Sequence, residues 1–241
     1  MAFANEANEL QRLSLRAFTA LYGMRTDWQG SLVLSVGLDV HGAALAVASH
    51  IAGAVSLAIE SDAGRIREVV RSGVADFVVN TLDEAIRTMK NEIRRQTPLS
   101  VALAADPAAV LNEALERGLA PQVFTSFSCT QLDRGFEQEF NRRFRSTGAR
   151  VLQFDEGVSA ANTESFITQA TNGMGWRTYS FTFDSAAELR AFDARALSVL
   201  GGGEGLRKRW LEAAPRVLQR QRPPERWLWL TEHERNNLSA G

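Results

Sequence analysis

Short apolar runs alternate with helical segments along most of this chain, and that alternation limits its fold more than any other feature. The runs are Ser31–Val36, Ala54–Ile59, Asp76–Val79, Leu99–Leu103, Gln122–Thr125 and Arg150–Phe154. Helical stretches lie between them, at 42–52, 63–71, 81–95, 107–117 and 131–145. Strands that each return through a helix pair in parallel, and strands apolar throughout are covered on both faces. The sequence therefore predicts an α/β fold: a doubly wound, mainly parallel Rossmann-like sheet with helices on both faces. An amphipathic helix over Glu6–Leu21 precedes it, with Leu10, Leu13, Ala17, Phe18 and Leu21 at helical spacing. Local signals mark helix ends. Thr81 and Glu84 form a capping box, and Pro107 and Gly118 bracket a helix.

Further on, helices are expected at Ser159–Ala170, Ser185–Leu200 and Leu206–Val217, with strands at Thr178–Phe183 and Arg226–Leu230. All 241 residues are read as one domain: a helix and linker over 1–30, a core over 31–230 and a frayed tail over 231–241. Trp210, Trp227 and Trp229 are expected to pack a closing helix and strand onto the core. The run Arg207-Lys208-Arg209 is read as a solvated face.

Composition narrows the function. The formal net charge is −1, so no basic excess argues for nucleic acid or an anionic membrane. No apolar stretch is continuous enough to span a bilayer. Cys129 is the only cysteine, which excludes an internal disulfide and suits a reducing, cytoplasmic setting. The three histidines are scattered along the chain, so no metal site is expected. His50 is read as a satisfied structural histidine.

One segment carries a chemical signal. The run Gly37-Leu38-Asp39-Val40-His41-Gly42 closes a strand and opens a helix of small residues, and the next strand ends in Glu60. A tight glycine turn sets a pyrophosphate on a helix N-terminus, and an acidic residue about twenty positions later accepts from the ribose hydroxyls. Gly37 and Gly42 hold the first and third glycine positions, but Asp39 stands where the middle glycine belongs. A carboxylate ~4 Å from a phosphate costs about 4 kcal/mol at an effective dielectric of ~20. The other reading of these residues is that the glycines serve strand–helix packing and Glu60 is a solvated strand end.

The segment LVLSVGLDVHGAALAVASHIAGAVSLAIESD is similar to the NAD-binding segment of urocanase, whose loop runs G-L-G-G-M-G-G-A. The likeness continues through VVNTLDEAIRTMKNEIRRQTPLSVALAADPAAVLNEALERGLAPQVFT. There the family has an S-L-D-E-A helix, a P-L-S-I-G-L strand followed by N-A, and an R-G-V-x-P-D-V-V-T turn. The resemblance implies NAD⁺ held tightly and used as an electrophile on urocanate. It places cofactor contacts at Gly37, Val40, His41, Gly42, Glu60 and Arg65. It also places them at Asp106 and Pro107 (the N-A pair) and at Ser128 and Cys129 within the family's Q-T-S-A-H-D segment, which reads FSCTQL here. No residue receives a catalytic role, because the family's F-C-E-G cysteine has no counterpart between Asp155 and Trp176. The family's flanking regions are also missing, so part of the cleft wall is expected to be absent. Three functions stay open: a urocanase-like protein that binds, or formerly bound, NAD without full urocanate hydratase activity; a genuine NAD⁺-dependent lyase of that type; and a non-catalytic interaction module. A small-molecule ligand, a second copy of the chain or a partner protein is compatible with each.

Overall fold

The computed structural model describes residues 2–127, 134–153, 161–200, 205–219 and 225–239. Among these, six strands form one parallel sheet: β1 (Leu32–Val36), β2 (Val55–Glu60), β3 (Phe77–Val79), β4 (Leu99–Ala104), β5 (Val123–Ser126) and β6 (Arg150–Val151), in the order β3-β4-β2-β1-β5-β6. Every described pairing in it is parallel. Strand β6 is shorter than its apolar run, and Phe154 lies outside the described residues.

The strand order dictates where the helices go. From β1 through β2 to β3 the chain moves outward, carrying α2 (Val40–Ala52) and α3 (Ala63–Ser72). It then reverses, running from β3 to β4, β5 and β6 through α4 (Leu82–Arg95), α5 (Pro107–Glu116) and α6 (Arg134–Ser146). Right-handed crossovers put the two sets on opposite faces. One buried cluster holds Leu34, Leu57 and Val101 of the sheet with Met89, Leu111 and Phe144 of the reversed set. The other holds Val33, Ala58 and Val123 with Leu45, Val47 and Val69 of α2 and α3. The two directions part between β1 and β5, and the carboxyl ends of strands at such a point are the usual ligand position in open α/β sheets.

Helix α1 (Ala2–Met24) lies on α2, whose run of alanines permits close approach. It continues past Leu21 into the expected turn, and Trp28 Nε1 then donates to the Leu21 carbonyl at 2.9 Å. Beyond the sheet come α7 (Ala161–Thr171), α8 (Ala186–Leu200) and α9 (Leu206–Val217). Strands β7 (Arg177–Thr182) and β8 (Glu225–Leu230) pair antiparallel in a ribbon of their own. Trp210 is fully buried and donates to the Trp227 carbonyl at 3.0 Å, and Trp229 donates to Thr19 Oγ1 at 2.8 Å. Gln11, also fully buried, is the joint between α1 and the ribbon. Its Nε2 donates to the Glu225 carbonyl at 2.7 Å, and its Oε1 accepts from Trp227 N at 3.0 Å and Arg226 Nη1 at 3.3 Å.

Two expectations fail here. Residues 232–239 of the supposed frayed tail form α10 (Glu232–Ser239), with Leu238 buried at 2% exposure. Arg207 is not part of a solvated face. It pairs with both oxygens of Glu234 at 2.8 and 2.9 Å and lies over the Trp176 ring at 4.3 Å from its centroid. Each residue supplies what the other lacks, so this polar helix docks through a charged pair as well as through Leu238. Burial pushes the Glu234 carboxyl up, but the main-chain hydrogen bond from Thr231 and the Arg207 guanidinium together hold it below its ordinary range.

Candidate functional site

Gly37 leaves β1 with φ at +98°, a left-handed conformation that glycine adopts without strain, and its N–H donates to the Ile59 carbonyl at 2.8 Å. The chain then turns into α2. A Cβ on Gly42 would stand 2.0 Å from the Gly37 carbonyl oxygen, so only glycine lets the helix start this close to the strand. Both glycines thus do what the sequence pattern asks of them.

Asp39 does something else. It is the N-cap of α2, in extended conformation, and its Oδ1 accepts from His41 N at 3.1 Å and Gly42 N at 2.9 Å. Helix N-terminal N–H groups lack partners within the helix and attract anions. Here the anion is the chain's own carboxylate. Val40 and His41 sit in the first turn, half buried, and the Phe127 ring, just past β5, faces the His41 ring. The His41 and Phe127 rings are near-parallel at 6.3 Å, and Phe127 is 1% exposed.

Glu60, at the end of β2, is 4% exposed and not a solvated strand end. Its Oε2 accepts from Leu38 N at 2.9 Å and its Oε1 from Asp62 N at 2.8 Å, while Arg65 Nη1 approaches Oε2 at 3.4 Å. One carboxylate therefore ties the β1–α2 turn to the β2–α3 turn. Asp62 caps α3 through Arg65 N, and the hydrogen bonds from Arg65 and Gly64 hold its carboxyl below the ordinary value. Asp106 caps α5 by accepting from Ala109 N at 2.8 Å, with Pro107 in the first turn. The carboxyl edge of the sheet thus repeats one device: an acidic side chain closes a helix N-terminus beside a strand end. From sequence, Asp39 reads as a like charge beside a phosphate and Asp106 as a cofactor contact, although Asp at an N-cap is a local signal for both roles found here.

The structure brings Gly37, Val40, His41, Gly42, Glu60 and Arg65 to one end of the sheet, with Asp106 and Pro107 beyond β4. Ser128 and Cys129 lie outside the described residues. Among the described residues no group of three or more His, Cys, Asp or Glu side chains could hold a metal ion. No described helix is long and apolar enough to cross a membrane.

Parallel sheet, glycine turn and strand-end acid define a Rossmann-like α/β protein. The urocanase Rossmann-like domain model matches residues 14–136, just over half of the chain, from the middle of α1 to the first turn of α6. The chain belongs to the urocanase family through this Rossmann-like domain, and the family is associated with NAD. The residues present do not fit a dinucleotide in the usual way. The two helix N–H groups that would meet a pyrophosphate already donate to Asp39, and the carboxylate that would meet a ribose is enclosed by main-chain donors.

Proposed function

We propose that this chain is a urocanase-family protein that keeps the Rossmann-like frame but no longer presents an open NAD cradle, and that it lacks full urocanate hydratase activity. One observation carries the reading: the Asp39 carboxylate accepts from His41 N and Gly42 N and occupies the anion position of α2. A phosphate approaching that turn displaces a carboxylate and meets its like charge. The change of Q-T-S-A-H-D to FSCTQL over residues 127–132 supports the same reading, since orientation of reactants supplies ~7–11 kcal/mol of barrier reduction and each lost contact removes some of it.

Calorimetric titration of NAD⁺ into wild type and Asp39→Gly tests the cradle. Glycine at an N-cap costs only a few tenths of a kcal/mol relative to aspartate, so the variant stays folded. It frees two N–H donors for a charged acceptor, and its affinity should rise roughly 10- to 100-fold. Tighter binding by wild type would make Asp39 a ligand contact and overturn the reading. A spectrophotometric urocanate assay with added NAD⁺ tests activity. Turnover of about 1 s⁻¹ or faster would restore the lyase reading.

A further inference from the structure

Among the described residues, the ion pair buried on both sides lies far along the sequence from the glycine turn, in elements outside residues 14–136. Arg226, at the start of β8, is 2% exposed, and Asp193 of α8 is 6% exposed. Arg226 Nε and Nη2 donate to the two oxygens of Asp193 at 2.7 and 2.8 Å, and Nη1 donates to Gln11 at 3.3 Å. A guanidinium carries five N–H donors and a carboxylate about four acceptor sites. Among the described residues, Arg226 thus has one uncommitted N–H on Nη1 and one on Nη2, and each Asp193 oxygen keeps acceptor capacity. Both side chains line a cavity of ≈ 500 Å³ whose walls include Phe183, Leu189, Pro215 and Leu218.

That combination selects a ligand chemistry. Nη2 and Oδ2 are bonded to each other, so the remaining donor of one and the remaining acceptor capacity of the other lie side by side on a pair that lines the cavity. Asp193 already neutralises Arg226, so an added anion meets the aspartate and an added cation meets the arginine, in both cases away from water. A neutral planar group with adjacent N–H and C=O offers one hydrogen bond to each charge and adds none of its own. The apolar walls take an aromatic or aliphatic body, and the volume lies in the range of small-molecule sites. We propose that this cavity binds a small neutral amide or lactam with an apolar body, seated on the Arg226–Asp193 pair.

Three probes of matched shape test it: phenylacetamide, phenylacetate and 2-phenylethylamine, titrated into ¹⁵N-labelled protein and followed by NMR. The amide should bind at least about tenfold more tightly than either charged probe, the worth of one hydrogen bond to a charged group. Its shifts should fall on the amides of α8, α9 and β8. Ala186→Trp places an indole over the cavity from an exposed position in the first turn of α8 and leaves the buried pair untouched. It should abolish the response at an unchanged melting temperature. A charged probe binding as well as the amide overturns the ligand class. An undiminished response in Ala186→Trp, or shifts confined to the Gly37–Gly42 turn, overturns the location. No binding by any probe overturns the site.

Discussion

Replacing Glu60 with alanine takes away the acceptor for two main-chain N–H groups, one of them buried between β1 and α2. A buried donor left without a partner costs about 1–3 kcal/mol. Glu60→Ala should therefore lower the unfolding free energy by about that amount in urea titrations whether or not NAD⁺ is present, whereas a purely ligand-facing carboxylate would leave the unliganded protein unchanged. His50 gives a pH dependence of definite sign. Burial pushes its imidazole below the ordinary value of about 6.5, and nearby Asp76, at 3.7 Å, pulls the other way and loses. The unfolded chain then takes up the proton first, so this contribution to stability is complete above about pH 6.5 and falls as the pH drops below it. Urea midpoints at about pH 7.5 and about pH 5.5 should separate less in His50→Gln than in wild type. What was legible at this scale was residue type at fixed spacing: Gly37, Gly42 and Glu60 are where the glycine-turn pattern puts them. The hydrogen-bond partners of Glu60 were not legible, because both donors are main-chain groups of turns that meet only after β1 and β2 pair.

Among the elements, α2 depends most on a single position. A Cβ on Gly42 would meet the Gly37 carbonyl oxygen at 2.0 Å, and main chain cannot rotate aside as a side chain can. Gly42→Ala must move the helix off the strand. Overpacking of that kind typically costs 1–3 kcal/mol, and a backbone clash belongs at or above the upper end, about 3 kcal/mol, read from the urea midpoint. Thr81→Ala, which opens the capping box of α4, should cost about 1 kcal/mol by the same measurement. The six parallel strands were legible because each is an uninterrupted apolar run between helical segments. The β7–β8 ribbon was legible as two strands but not as a pair. Arg177 sits opposite Leu230 and Thr182 opposite Glu225, with α8 and α9 between them in sequence, and no turn motif joins the two. Helix α10 was not legible because its sequence is polar apart from Leu238, and the charge partner of Glu234, Arg207, lies in α9.

At the scale of the whole molecule, the α8–β8 region hangs on the Arg226–Asp193 pair. Removing one member of a buried pair leaves the other charge without compensation, at a cost of about 3–5 kcal/mol. Asp193→Ala should lower thermal stability far more than Glu139→Ala, which breaks the exposed pair with Arg142 on α6. Gln11 adds a constraint of another kind. It bonds Glu225, Arg226 and Trp227 across sequence separations of 214, 215 and 216 residues. At ribosomal rates of ~5–20 residues per second, the strand that completes α1's surroundings is made about 10–40 s after Gln11 itself. Until then the amide of Gln11 and the ring of Phe18, which stacks on Trp210 in the finished protein, face solvent or whatever shelters a nascent chain. Helix α1 is thus synthesised well before the strand that encloses it, and its exposure during translation is a property of the topology rather than of any one residue.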